Sequence, residues 1–235
     1  MFPENTLVSL SRSLVAPYYA GGVELDVRVS ADEEVYVFHD GNTERLTGVP
    51  GTIEDRTSEE IAALRVSGET IPRLSEVIES LLALTPAGSS RLLNVEVKMP
   101  RDPARMVEVL GPMLDPLVGE ERLDLVVSSF DPRVLAQALE QGAGWGLALL
   151  YETLDMLACL ELLEGSQRID LHPNQSLVTD AHLSQYARDE NGRPTRSVRV
   201  WTVDDPHRAR DLARMGVDAV ITNRPARLRR VLWSC

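Results

Sequence analysis

Apolar residues occupy every second position in 23–29, with Glu24 and Asp26 on one side and Val23, Leu25 and Val27 on the other. A period of two predicts a strand. Short β-rich runs recur at 92–98, 123–129, 146–151, 169–172, 198–203 and 219–222. Helical patterns lie around and between them, at 5–15, 73–84, 103–117, 131–141, 154–164, 180–190, 206–215 and 225–232. Asp102, Asp131 and Asp205 each precede a proline, and Asn223 stands near Pro225, so capping oxygens or N1 prolines start these helices. Gly142 and Gly216 fall where helices should stop.

Repeated strand–helix units predict a parallel sheet with right-handed crossovers. Both a doubly wound sheet and a (β/α)8 barrel fit that pattern. No phosphate-binding glycine fingerprint follows an early strand, which weighs against dinucleotide binding. Seven barrel-type strands are countable, one short of closure, and the shortfall lies before the first helix. One segment breaks the alternation: 35–39 is a strand reached by a short polar turn, as in a hairpin. Residues 41–57 are rich in Gly, Thr, Asp and Pro and read as an excursion over one end of the domain.

Composition narrows the partners. The chain has 235 residues, 43% hydrophobic and 26% charged, enough to build one domain of barrel size. No apolar run reaches the roughly 18 residues of a membrane span. The net charge of −12 argues against nucleic acid, which wants a basic face. It leaves room for a small phosphorylated substrate, since a metal ion inverts the local field. Cys159 reads as a buried thiol in a helical run and Cys235 as a frayed terminus, so neither suggests a disulfide or a zinc site. With no signal-type leader in view, a cytoplasmic location is expected.

In a parallel barrel the chemistry sits at the C-terminal ends of the strands. Glu24 and Asp26 share a face there, as do Glu96 and Lys98, and His39 and Asp40 end the hairpin strand. Carboxylates within an apolar pattern need compensation. Two readings stand: a hard divalent cation, or a buried salt-bridge network built on Lys98. His39 and His172 are each lone histidines, a kind more often structural than catalytic. His182 and His207 lie on helical segments and read as surface residues. Trp201, at a strand end, either lines a pocket or fills the barrel. Ser128 and Ser129 show no paired base, so a serine nucleophile is weakly supported.

Read in order, Pro3-Glu4-Asn5-Thr6, Glu24-Leu25-Asp26-Val27, His39-Asp40 with Arg45 and Thr47-Gly48, Ile71-Pro72-Arg73-Leu74, Val95-Glu96-Val97-Lys98, Ser128-Ser129-Phe130, Trp201-Thr202-Val203 and Gly216-Val217-Asp218 through Ile221-Thr222 resemble the glycerophosphodiester phosphodiesterase family, part of the phospholipase C-like phosphodiesterases. The resemblance implies an α/β protein, a TIM (β/α)8 barrel forming a single domain over 1–235 with an insertion at about 30–67 after the second strand. It implies hydrolysis of glycerophosphodiesters to sn-glycerol 3-phosphate and an alcohol with a divalent cation, Mg²⁺ or Ca²⁺, with Mn²⁺ also compatible. In the family mechanism the glycerol hydroxyl attacks its own phosphorus and a cyclic phosphate forms.

Carried over by motif, Glu24, Asp26 and Glu96 are the metal ligands and His39 the general acid. Lys98 contacts the phosphate or an oxygen at the metal, and Trp201 walls the glycerol. The partner implied is a small-molecule glycerophosphodiester. Family members also carry His-Arg-Gly on a first strand upstream of Pro-Glu-Asn-Thr; this chain begins Met1-Phe2-Pro3 and has no such motif. Met1-Phe2 matches what precedes Pro-Glu-Asn-Thr in members, so the expectation is an internal methionine and a barrel whose first strand is absent from this chain. His172 is then the next base to consider. The alternatives are a non-catalytic barrel relative that binds a phosphorylated ligand, or a related phosphodiesterase acting on lysophospholipids or sphingomyelin.

Overall fold

A computed structural model describes residues 2–16, 18–163 and 168–232. Thr6 caps the first helix, α1 (Leu7–Leu14), through a hydrogen bond from the Ser9 amide. The chain then enters β1 (Gly22–Val29) and turns back through β2 (Val35–Val37), which pairs antiparallel with β1. Two short helices, α2 (Glu44–Thr47) and α3 (Ser58–Ala62), follow within the excursion. Strand and helix then alternate: α4 (Leu74–Leu84), β3 (Arg91–Val97), α5 (Pro103–Leu114), β4 (Leu123–Ser129), α6 (Pro132–Glu140), β5 (Gly146–Tyr151), α7 (Leu160–Leu163), β6 (Ile169–Pro173), α8 (Asp180–Tyr186), β7 (Arg199–Val200), α9 (Pro206–Met215), β8 (Ala219–Val220) and α10 (Pro225–Leu232).

The ladder runs β2-β1-β3-β4-β5-β6, with every pairing after the hairpin parallel. Isolated parallel bridges, Leu171 to Val198 and Asn174 to Trp201, carry it on to β7, which pairs with β8. Among the described residues no ladder joins β8 back to β1. The two open edges nevertheless curve toward each other. The Arg229 guanidinium of α10 stacks 4.4 Å over the Tyr19 ring in the lead-in to β1.

Alternation along β1 sorts its side chains. Val23, Leu25 and Val27 face outward into the helix layer, in one continuous core with Leu10, Leu74, Leu110, Leu135 and Leu212. Glu24 and Asp26 face the barrel axis. The excursion has its own small core of Tyr36, Phe38, Ile53, Ile61, Leu64, Val66 and Ile71, which seats it as a rigid flap.

Several expected boundaries move, for identifiable reasons. The helix expected over 103–117 leaves α geometry after Leu114, where Asp115–Leu117 form a 3₁₀ turn around Pro116, which has no amide hydrogen to donate. Instead of one helix over 154–164, Leu154–Cys159 is 3₁₀ and only α7 is α-helical. Its buried Leu157, Leu160 and Leu163 repeat every three residues, the period of a 3₁₀ turn. Glu164, the last residue expected there, and Cys235 lie outside the described residues. The helix expected to reach 190 ends at Tyr186, because Asp189 accepts from the amides of Asn191 and Arg193 in a tight turn. Asp102, Asp131 and Asp205 cap their helices, whereas before α10 the accepting oxygen is Thr222 Oγ1, which takes the Arg224 amide, not Asn223.

Two residues contradict their expected environments. His182 is not on the surface: the Thr179 cap turns it inward, where Nε2 lies 2.9 Å from Tyr151 Oη and burial lowers its pKa. Cys159 is only half-buried, with Sγ donating to the Met156 carbonyl at 3.0 Å.

His172 is fully buried within the barrel, with Nε2 3.5 Å from Arg199 Nη1, and Arg199 is itself paired to Asp170 at 2.8 Å. Burial, reinforced by the Arg199 charge, pushes its pKa down to about 3. It is therefore held neutral, away from the open mouth, and unsuited as a substitute base. Unfolding lets it charge, so the unfolded chain binds more protons between its ordinary value near 6.5 and about 3. Its contribution to stability is full above that window and is lost as pH falls through it. His172→Gln should flatten the decline in Tm between pH 7 and 4. An unchanged slope would place the acid sensitivity elsewhere.

Candidate active site

Direct parallel pairing of β1 with β3, on the edge of β1 opposite the hairpin strand, sets Asp26 beside Glu96 and Glu24 beside Asn94. The carboxylates of Glu24, Asp26 and Glu96 each offer an oxygen within 4.8 Å of the others. Lys98 Nζ bridges two of them, 2.9 Å from Asp26 Oδ1 and 2.5 Å from Glu96 Oε1. Burial, then the Asp26 and Glu96 charges, pushes the Glu24 carboxyl well above its ordinary range. Burial and Asp26 likewise raise Glu96, against the pull of Lys98. Burial alone would lower Lys98, but the two carboxylates outweigh it and raise its pKa. The balance is telling: three acids face one lysine, and the field at that point still favours taking on positive charge.

Asn5, in the left-handed region at φ 53°, clamps Asp26 from the α1 side. Its Nδ2 donates to Asp26 Oδ2 at 2.7 Å, and its Oδ1 accepts the Asp26 amide at 3.2 Å. Both carboxylate oxygens of Asp26 are thereby oriented, one by Asn5 and one by Lys98.

His39 follows β2 at the rim, its side chain half exposed. The Phe38 amide donates to the Asp26 carbonyl at 2.8 Å, and Arg28 Nε and Nη2 grip the His39 carbonyl at 3.2 and 3.0 Å. Nδ1 lies 2.8 Å from Asp40 Oδ1, which fixes the hydrogen on Nδ1 and leaves Nε2 for the cavity. Arg45 holds Asp40 in turn, with Nε 2.5 Å from Oδ2, and also pairs with Glu4. The Arg45 hydrogen bond, helped by His39, draws Asp40 down to about 2, so it is ionised at neutral pH. Glu4, His39 and Asp40 also cluster closely, but Arg45 already bridges the two carboxylates of that group.

His39, Asp40, Arg45, Glu96 and Lys98 share one cavity of about 780 Å³, with Arg28 and Phe130 in its wall, and Asp26 lies behind it, joined through Lys98. The Phe130 ring meets Trp201 edge-on with centroids 5.3 Å apart, and Trp201 Nε1 is tied to the His172 carbonyl at 2.7 Å. Trp201 thus sits beside the cavity wall, not deep in the barrel. Ser129 Oγ is spent on the Val97 carbonyl and the Asp131 amide, and Ser128 is fully buried, so neither serves as a nucleophile. His207 is exposed on α9. Among the described residues, His39 is the histidine that lines this cavity.

Arg28 was not singled out from sequence, and Asn5 stood in the Pro3-Glu4-Asn5-Thr6 motif with no role of its own. Arg28 was legible in retrospect, because it continues the Glu24–Asp26 face by the same period of two. Asn5 was not, since its role depends on a local backbone conformation. The Asp40 contact makes a separable prediction. Asp40→Asn should lower kcat about tenfold while leaving KM near its original value. A change in KM alone would show that Asp40 does not position the imidazole.

A barrel mouth with these groups has the makings of an enzyme that cleaves phosphodiesters. Comparison with known proteins narrows that class. The chain belongs to the glycerophosphoryl diester phosphodiesterase family, whose sequence profile matches residues 1–227. A glycerophosphodiester phosphodiesterase of Bacillus altitudinis is 28% identical over 244 residues, covering 96% of this chain and 91% of that protein. The structure also superposes on an Oleispira antarctica phosphodiesterase in complex with the product sn-glycerol-3-phosphate. The TM-score is 0.81 at 26% identity, over 99% of this chain and 92% of that one. A Thermotoga maritima glycerophosphodiester phosphodiesterase matches with a TM-score of 0.73 at 26% identity, over 98% and 92%. The fold is therefore the TIM barrel of this family, and the enzyme class is phosphodiesterase. No described helix is long and apolar enough to cross a membrane.

Proposed function

We propose that the protein hydrolyses glycerophosphodiesters to sn-glycerol 3-phosphate and an alcohol, using a divalent cation held by Glu24, Asp26 and Glu96. The observation that carries this is the convergence of three carboxylates within 4.8 Å against a single lysine. A purely structural salt-bridge network would balance its charges; this one sets three acids against one cation in a buried place, where a second cation would favour their charged forms. The donors are all hard oxygens, which suit Mg²⁺, Ca²⁺ or Mn²⁺. When bound, the cation would neutralise phosphate charge and polarise the phosphorus centre.

The chain's own residues supply the rest. Lys98 meets a phosphate oxygen while remaining paired to Asp26. As the substrate's own glycerol hydroxyl attacks the phosphorus, giving its proton to solvent and closing a cyclic phosphate that water then opens, His39 delivers a proton from Nε2 to the departing alcohol oxygen, which is otherwise a poor leaving group. Asp40, held by Arg45, keeps that ring turned toward the cavity. Trp201 and Phe130 give the glycerol an apolar wall. The Oleispira relative holds sn-glycerol-3-phosphate as product, which supports this substrate class.

The test is phosphorus NMR of glycerophosphocholine incubated with the protein and Mg²⁺ or Ca²⁺. The expected result is conversion to sn-glycerol 3-phosphate, abolished by chelator and restored by excess cation. Binding without turnover would favour a non-catalytic barrel, and turnover indifferent to chelator would remove the cation from the account.

A further inference from the structure

The acidic chain carries one strongly basic face. From residue 206 to residue 230 there are seven arginines against two aspartates, a local net of +5 in a chain of −12. Several of these arginines are spent locally. Arg208 donates to the Gln175 and Val178 carbonyls, Arg214 pairs with Asp211, and Arg224 faces Asp204 at 3.9 Å.

Arg210 and Arg227 converge instead. A groove of about 600 Å³ between α9 and α10 is lined by Pro206, His207, Arg210, Ala226, Arg227 and Arg230. His207 and Arg210 are three residues apart on α9, and Arg227 and Arg230 are three apart on α10, so both helices turn basic side chains to the shared groove. The Arg210 and Arg227 guanidiniums carry their charge at any ordinary pH and repel each other there. Among the described residues no carboxylate pairs with His207, Arg210 or Arg227. Arg210 Nε is buried in this wall with no hydrogen-bond partner, an omission that costs free energy unless something supplies an acceptor.

The placement is also informative. α9 follows β7 and α10 follows β8, so the first turns of both helices lie at the mouth end of the barrel. Their partial positive charge adds to that of the side chains. Planar guanidinium forks match the oxygens of a phosphate group bidentately. We infer that the α9–α10 groove is a second anion site, recognising a phosphate group through Arg210 and Arg227 with His207 and Arg230 beside them. The site is separate from the carboxylate-lined cavity and does not depend on its assigned chemistry.

The experiment is an amide chemical-shift titration of the full ¹⁵N-labelled chain with inorganic phosphate and, separately, sn-glycerol 3-phosphate at low salt. A parallel arm uses co-sedimentation with phosphatidylglycerol or phosphatidylcholine vesicles. Saturable shifts at His207, Arg210, Ala226 and Arg227, with a Kd of about 1 mM, are expected for a soluble phosphate source. They should weaken at least about tenfold in Arg210→Gln/Arg227→Gln and with added salt. Shifts at Lys98 and Met99 report the mouth independently and should persist in that variant. Capture only by phosphatidylglycerol vesicles, lost in the double variant, would keep the site and assign the phosphate to a lipid headgroup. The inference is overturned if neither arm shows binding at the α9–α10 groove, or if the groove shifts or vesicle capture survive in a double variant whose circular dichroism and Tm match the parent.

Discussion

Glu96→Gln should lower kcat/KM for a glycerophosphodiester by about 10³-fold, a loss of roughly 4 kcal/mol of transition-state stabilisation, while leaving Tm unchanged or higher. The two halves follow from one geometry. Gln fills the same volume at the end of β3, so Val95 and Val97 stay in the core. Lys98 keeps Asp26 at 2.9 Å as its partner and is not left uncompensated. What disappears is one of three mutually repelling carboxylates, whose burial beside Asp26 already disfavours its charged form. Without a cation the fold loses little by that change; with one, it loses a ligand. A parallel fall in Tm and activity would mean that the cluster is structural.

His39→Ala should reduce kcat by about 10²- to 10⁴-fold, the usual worth of a positioned general acid, with a much smaller change in KM. Proton donation matters chiefly in the transition state. The loss should shrink sharply for a nitrophenyl phosphodiester, whose leaving group needs no proton. The side chain is half exposed and anchors no core contact, so the variant should fold normally. Equal losses on both substrates would assign His39 a binding role instead.

Much of the barrel was legible because period and punctuation agree. Buried strands such as 123–129 and 146–151 match their expected limits, and proline-preceded aspartates mark three helix starts. What sequence period alone could not show was pairing. The excursion separates β1 from β3 by more than sixty positions, and only the parallel register brings Asp26 beside Glu96. The motif resemblance, not spacing, named the same three carboxylates as ligands. His182 was misplaced because a short helix has no strong apolar stripe to say which side faces in. The arginines at 206–230 drew no reading from sequence, since their convergence depends on how α9 packs against α10. The clamp of Asn5 on Asp26 joins residues that sequence separates by 21 positions.

The central claim is that Glu24, Asp26 and Glu96 form one cation site. Electron paramagnetic resonance of Mn²⁺ titrated into the full chain measures this without reference to turnover. The account predicts one tightly held ion, displaced by Mg²⁺ or Ca²⁺ and lost in Asp26→Asn/Glu96→Gln. Mn²⁺ bound equally well by that double variant, or not held by the parent chain at all, would contradict it.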